Sequence, residues 1–297
     1  MDKPKPILIS GSHRSGTTWV GKILAQHRKV FYYYEPFNIN ARSREIPIKY
    51  WYEYVTEEKD AKNSGKYSEY IGEYLSGNAL FNLKDYISIK KYWLPLQHNL
   101  WQLNAPVKLL KDPLALFAAE WIFQTFQTKN IVLIRHPAAF ALSIMEKNWL
   151  HDFNHFLAQD DLMSQYLEKH RPELQQLTTS EDIIAHAILL WNIIHAYIYT
   201  LQQKYAPEWF FVTHEAISMS PLKKFEEIFA FADLDFTEKI KKTIQNTTQA
   251  KTTWTHQYRD TKVNVAKWKN KLQATEIERI KEGTREVWQY FYTEEDW

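Results

Sequence analysis

Short apolar runs alternate with stretches of helical spacing along most of the chain. Short apolar runs predict strands at 6–10, 107–111, 131–135 and 209–213, and a β-branched and aromatic run predicts a strand at 30–34. Apolar residues at helical spacing predict helices over 16–27, 113–128, 159–169, 181–204, 222–232, 237–245 and 275–291. Strands that alternate with helices predict an α/β fold, a parallel sheet flanked by helices on both faces.

The stretch 38–104 interrupts this alternation. It is rich in Tyr, Lys and Glu and carries turn signals at Asn63-Ser64-Gly65 and Ser76-Gly77-Asn78. We expect a helical, aromatic insertion within a single domain spanning 1–297. Its aromatic residues favour a packed subdomain and an acceptor pocket about equally.

One apolar segment approaches the length of a membrane span. Residues 183–201 contain no Asp, Glu, Lys or Arg, but His186, Asn192 and His195 interrupt them. We predict a buried central helix and no membrane span, with both histidines in the core or a cleft.

Composition narrows the classes of function. The chain has 297 residues, a net charge of +2 and no cysteine, which excludes disulfides, thiolate catalysis and Cys-ligated zinc. Charge this close to neutrality argues against a nucleic-acid partner. No apolar signal region precedes the first strand, so we expect a cytoplasmic protein.

The segment 11–18, GSHRSGTT, lies between a predicted strand and a predicted helix. Backbone N–H groups at such a turn, with the positive end of the helix dipole, bind phosphate. The spacing resembles that of a nucleoside triphosphate loop, but Thr17 stands where its lysine would be. The cation of this loop is instead Arg14, and its position favours a single phosphate that carries a transferable group. Because the loop still lies between a strand and a helix, we describe the predicted fold as P-loop-like.

Five segments together resemble the sulfotransferases that use 3′-phosphoadenosine 5′-phosphosulfate (PAPS). These are SHRSGTTWVGKILAQHRKVFYYYEPFN, VKLLKDP, IVLIRHPAAFALSIMEKNW, FFVTHEAISMSP and AKWKNKL. The resemblance is nearest to the branch of carbohydrate 6-O-sulfotransferases and their bacterial relatives. It implies transfer of a sulfuryl group from PAPS to a hydroxyl, with release of adenosine 3′,5′-bisphosphate (PAP).

The resemblance also implies a nucleotide site. It assigns Arg135 and Ser143 to the 3′-phosphate and places an aromatic contact to adenine at Trp19. It assigns the 5′-phosphosulfate to the loop residues Arg14, Ser15, Gly16, Thr17 and Thr18.

Further nucleotide contacts fall near the C-terminus. His214 stands where many relatives have a nucleotide-contacting Tyr. Arg259 and Lys262 match basic residues of a loop that covers the nucleotide, here expected over 249–272, and a solvated basic loop is the alternative.

Glu35 is the predicted base for the acceptor hydroxyl. The segment after the third strand, Lys111-Asp112-Pro113, lacks the histidine that cytosolic small-molecule members use. Glu35 ends the second strand at the position of the glutamate base in other branches; an ion pair with Arg14 is the structural alternative. Three further residues have other expected roles. Lys111 resembles a lysine of the family that stabilises the leaving group. Asp112 is expected to cap the next helix, and His13 is expected at the surface.

Two other functions stay open on the sequence alone. One is a P-loop nucleotide kinase, and the other is a non-catalytic PAP-binding protein. The acceptor is expected to be a carbohydrate, lipid or small molecule with a hydroxyl, and no metal is predicted. Oligomeric state is not readable from the sequence.

Overall fold

The computed structural model describes residues 4–41, 45–76, 105–248 and 265–297. The strands form a five-stranded parallel sheet in the order β2-β3-β1-β4-β5. They are β1 (Ile7–Gly11), β2 (Val30–Tyr34), β3 (Val107–Lys111), β4 (Lys129–Ile134) and β5 (Phe210–Thr213). The predicted α/β fold is thereby confirmed, and β2 and β3 have the predicted bounds.

Helices connect and flank these strands. They are α1 (Thr17–Leu24), α2 (Glu57–Lys62), α3 (Lys66–Ser76), α4 (Ala119–Phe126), α5 (Pro137–Met145), α6 (Asn154–Leu157), α7 (Asp160–Leu162), α8 (Arg171–Leu177), α9 (Ile183–Tyr205), α10 (His214–Met219), α11 (Pro221–Phe231), α12 (Glu238–Thr248), α13 (Ala274–Gly283) and α14 (Arg285–Trp288). Short 3₁₀ turns lie at Ile39–Ala41, Pro113–Ala118, Glu168–His170, Lys267–Asn270 and Glu294–Asp296, with a π turn at Met163–Leu167.

Packing divides the chain into two compact units. The first comprises Met1–His13 and Thr17–Ile131, and the second comprises Arg14–Gly16 and Val132–Trp297. The predicted insertion 38–104 begins in the first unit, where α2 and α3 supply the expected short helices, and its part 77–104 lies outside the described residues. The expectation of a single domain stays a prediction.

In the first unit, the strand register determines which side chains meet. β2 and β3 are parallel, and Tyr34 pairs with Lys111 at their carboxyl ends. The N–H of Glu35 donates to the carbonyl of Lys111 at 2.9 Å, which extends the ladder by one residue. Parallel strands thus bring Glu35 and Lys111 to the same edge of the sheet, where ligands bind in α/β folds.

In the second unit, α9 is the central helix. It packs against α5, α8, α13 and α14. Among the described residues it is the one helix long and apolar enough to cross a membrane, and 61% of its most apolar window is buried. Core helices of globular proteins commonly share these properties. His186 and His195 are both buried in the core, as expected.

Two helix predictions were wrong. The predicted helix 275–291 is broken after Gly283, because the hydroxyl of Thr284 bonds to the carbonyl of Ile280 at 2.7 Å. The carbonyl of Gly283 accepts from Asn192 at 2.8 Å, away from the helix ladder. The predicted helix 159–169 is instead a succession of α, π and 3₁₀ turns.

Candidate active site

The loop between β1 and α1 is bent into the left-handed backbone region. Arg14 has a φ of 67° and Gly16 a φ of 93°. A non-glycine residue in this region costs about 1–3 kcal/mol, and such strain is concentrated at functional positions. α1 begins directly afterwards at Thr17, so the loop leads into a helix N-terminus, which favours an anion.

The other predicted loop residues differ in exposure. Ser15 and Thr17 are buried, whereas Thr18 and Trp19 are partly exposed. Their assignment to the 5′-phosphosulfate and to adenine stays a prediction.

His214 packs against the loop at Gly16. A Cβ added at Gly16 would lie 2.6 Å from Nδ1 of His214. Burial and the positive charge of Arg135 lower the pKa of His214 to about 3, so its ring is neutral at physiological pH. The structure therefore gives His214 a loop-packing role, and its contact with adenine stays a prediction.

Gly16→Ala is expected to lower the free energy of unfolding by more than the backbone strain of a left-handed position accounts for. The new Cβ would collide with His214, whereas at Gly65 (φ 71°) no atom lies within 4 Å of the built Cβ. Backbone strain alone costs about 1–2 kcal/mol, so Gly65→Ala is the matched control. Urea unfolding measures the loss of stability in both variants. Equal losses would show that His214 moves away from the new Cβ at no cost in free energy.

Arg14, Ser143 and Arg135 form a cluster within the second unit. Nε of Arg14 donates to Oγ of Ser143 at 2.8 Å, and Nη1 of Arg135 donates to the carbonyl of Arg14. Nε of Arg135 is buried and has no hydrogen-bond partner among the described residues. Burial and the nearby charge of Arg14 lower the pKa of Arg135 to about 10, so it remains protonated at neutral pH. Two adjacent guanidinium groups and a buried free donor suit a bound anion.

Lys111 and Glu35 form an ion pair within the first unit. Nζ of Lys111 donates to Oε1 of Glu35, and the lysine side chain is fully buried. Burial lowers the pKa of Lys111, and the charge of Glu35 opposes that shift. Nζ also lies 3.6 Å from the ring centroid of Tyr34. The described ion-pair partner of Glu35 is therefore Lys111.

Asn38 holds the second oxygen of Glu35, a role the sequence reasoning missed. Its Nδ2 donates to Oε2 of Glu35 at 2.8 Å, while its Oδ1 accepts from the N–H of Asn40 at 3.1 Å. Glu35 has a φ of 45°, so its backbone is also strained. The carboxylate is fixed at both oxygens, and Asn38 lies within the quoted YYYEPFN segment, where it could have been noticed.

Asp112 caps the turn after β3, as expected. Its Oδ1 accepts from the N–H of Leu114 at 3.0 Å. Its Oδ2 accepts from the N–H of Phe37 at 2.5 Å, which ties the segment after β2 to the end of β3. The carboxylate thus supports the backbone on both sides of the Glu35–Lys111 pair.

Asp112→Ala is expected to lower the free energy of unfolding by about 2–4 kcal/mol, because it removes a cap and leaves a buried N–H unbonded. The matched control is Asp160→Ala at the exposed start of α7, where we expect a change within about 1 kcal/mol. Urea unfolding checks both variants. Equal losses would contradict the structural role of Asp112.

His13 is buried, so its predicted surface position was wrong. Its Nδ1 lies within hydrogen-bond distance of the hydroxyl of Tyr52, which also accepts from the backbone N–H of His13 at 3.3 Å. Tyr52 is separated from His13 by 39 residues, and no local sequence pattern indicates that they meet.

Some predicted features cannot be placed. Arg259 and Lys262 lie outside the described residues, as does most of the predicted loop 249–272. Within the described ranges, no group of three or more His, Asp or Glu side chains could hold a metal ion. The prediction of a metal-free reaction is not tested by that finding.

A sequence model described as the sulfotransferase domain matches residues 4–291. The chain belongs to the sulfotransferase family. The match includes the loop 11–18, Glu35, Lys111 and the Arg14–Ser143–Arg135 cluster. The resemblance seen in the sequence is confirmed at the level of the family.

Several solved structures are similar to this sulfotransferase. The sulfotransferase domain from the curacin biosynthetic pathway has a TM-score of 0.50 and 15% identity, over 98% of each chain. The sulfotransferase domain of the olefin synthase from Synechococcus PCC 7002 has a TM-score of 0.46 and 15% identity, over 99% of this chain and 97% of that one. A mouse sulfotransferase complexed with PAP has a TM-score of 0.46 and 12% identity, over 97% of this chain and 86% of that one. No curated protein matches the sequence.

Proposed function

We propose that this sulfotransferase transfers the sulfuryl group of PAPS to a hydroxyl of a carbohydrate or small-molecule acceptor and releases PAP. The observation that carries the proposal is the cluster of Arg14, Ser143 and Arg135. It combines two guanidinium groups, a hydroxyl and a buried Nε without a partner among the described residues. A nucleotide with separate 3′- and 5′-phosphates needs one anion site besides the loop 11–18, and Ser143 and Arg135 offer donors for it beside Arg14 of the loop.

A bound PAPS molecule supplies an activated sulfuryl group whose leaving group is a phosphate. Arg14 belongs to the loop, and its side chain is bonded to Ser143. Its guanidinium can therefore donate to either the 5′- or the 3′-phosphate. Thr17 stands in place of a loop lysine, which disfavours a nucleoside triphosphate. Among the predicted alternatives, the kinase is therefore the less well supported.

Glu35 is the proposed base. Hydrogen bonds from Lys111 and Asn38 fix its two carboxylate oxygens, so one rotamer of the base is selected before an acceptor binds. A positioned carboxylate can take the acceptor proton as the new S–O bond forms.

Transfer is tested by incubating the protein with PAPS and a panel of sugar, phenol and alkyl alcohols, and measuring PAP release and the sulfated product. A parallel series with Mg·ATP as donor tests the kinase. We expect acceptor-dependent PAP release and no phosphorylated product. Tight PAP binding without transfer to any acceptor class would favour the non-catalytic binding protein, and phosphorylated product would favour the kinase.

A further inference from the structure

Arg135 is held through the peptide group that follows it. Its carbonyl accepts from Nε1 of Trp191 at 2.9 Å. The next N–H along the chain, that of His136, donates to Oε1 of Glu215 at 3.2 Å. The backbone that carries the guanidinium is therefore held between α9 and α10.

Glu215 has both carboxylate oxygens engaged. Oε1 accepts from His136, and Oε2 accepts from the hydroxyl of Tyr292 at 2.9 Å. Burial raises the pKa of Glu215, while the charge of Arg135 and these two hydrogen bonds oppose that shift. The carboxyl group of Glu215 therefore lies close enough to interact with the charge of Arg135, and its position depends on the hydroxyl of Tyr292.

The ring of His136 holds Tyr292 and the rest of the C-terminal segment in place. Its centroid lies 5.0 Å from that of Tyr292 and 4.4 Å from that of Trp297, both edge to face. The same ring stacks on Trp268 at a centroid distance of 4.8 Å. Burial and the charges of Lys269 and Arg135 lower the pKa of His136 to about 3. The ring is thus neutral at physiological pH, and adds no further cation beside Arg135.

We propose that Glu215 and Tyr292 are positioning residues for Arg135, and that the segment 292–297 thereby contributes to recognition of the nucleotide's 3′-phosphate. This inference rests on the proposed function. Glu215 accepts a hydrogen bond from the backbone N–H next to Arg135, and Tyr292 holds the second oxygen of that carboxyl group. Loss of either contact leaves the peptide group after Arg135 less firmly held, so the guanidinium is positioned less precisely.

The experiment compares PAP with adenosine 5′-phosphate (AMP), which lacks only the 3′-phosphate. Calorimetric titration of wild type, Tyr292→Phe and Glu215→Gln gives the ratio of the AMP Kd to the PAP Kd. We expect both variants to lower this ratio about fivefold to tenfold, which is less than for loss of a charged hydrogen bond to the phosphate, because Arg135 itself is retained. The Kd for AMP should remain within about twofold of wild type, because the 5′-phosphate site is unaltered.

Two controls match these variants. Tyr290→Phe removes a hydroxyl from an exposed ring two positions away, and Glu286→Gln neutralises an exposed carboxylate on α14. Neither should change the ratio by more than about twofold. Urea unfolding reports whether each variant is folded. If Glu215→Gln does not fold, the milder Tyr292→Phe decides the outcome.

The results separate this inference from the proposed function. A ratio near one in the wild type would contradict the 3′-phosphate site itself. A high wild-type ratio that both variants retain or increase would overturn the positioning role alone. Equal loss of AMP and PAP affinity would also overturn it, because that pattern indicates general damage to the fold.

Discussion

Glu35→Gln is expected to lower acceptor-dependent PAP release by about 10²–10⁴-fold, the usual contribution of a positioned general base. The amide cannot take a proton from the acceptor hydroxyl. Its carbonyl oxygen can still accept a hydrogen bond from Lys111, but its NH₂ group cannot accept the bond that Asn38 donates to Glu35. The Kd for PAP should change little, since Glu35 is not assigned to the nucleotide. Initial rates and calorimetric titration measure the two quantities on one preparation.

The variant also removes the negative charge that neutralises the fully buried Lys111. We therefore expect some loss of stability, because an unpaired buried charge is costly, and unfolding must be measured alongside activity. Glu57→Gln, at the exposed start of α2, is the control for a neutralised carboxylate. Near-full turnover by folded Glu35→Gln would show that another group is the base.

Arg135→Met is expected to remove most of the preference for PAP over AMP. A charged hydrogen bond contributes about 1.5–3 kcal/mol, so the Kd for PAP should rise roughly 10–100-fold. Met retains much of the side-chain volume and removes the charge and the donors. The Kd for AMP should rise far less, because AMP has no 3′-phosphate.

The control for this change is Arg171→Met, which removes a guanidinium exposed on the surface and paired with Glu168. Its binding of both nucleotides should match that of the wild type. If Arg135→Met weakens AMP and PAP by the same factor, Arg135 supports the fold or the 5′-phosphate, and the assignment of the 3′-phosphate to it is wrong.

The sequence predicted the parts of the fold that local patterns determine. β2 is a run of one valine and four aromatic residues, β3 is a short run with an apolar centre that ends before Asp112-Pro113, and both were predicted with their observed bounds. Because parallel strands end at the same edge, the register also brings Glu35 to Lys111. The cap by Asp112 likewise follows from its place before Pro113.

The sequence could not predict contacts between segments far apart in the chain. His13 meets Tyr52 across 39 residues, and Tyr292 meets Glu215 across 77 residues. In each pair, the sequence shows one polar residue near a strand end, and no nearby pattern indicates its partner. Such contacts depend on how the connecting segments pack, which periodicity does not determine. The break after Gly283 also depends on a distant partner, Asn192 on α9.

The most direct test of the central claim is calorimetric titration of the wild-type protein with PAP, AMP and Mg·ATP. The account predicts tight binding of PAP and much weaker binding of the other two, because the proposed function assigns one phosphate to the loop 11–18 and the other to Arg135 and Ser143. Equal binding of AMP and PAP, or a preference for Mg·ATP, would contradict PAPS as the sulfuryl donor.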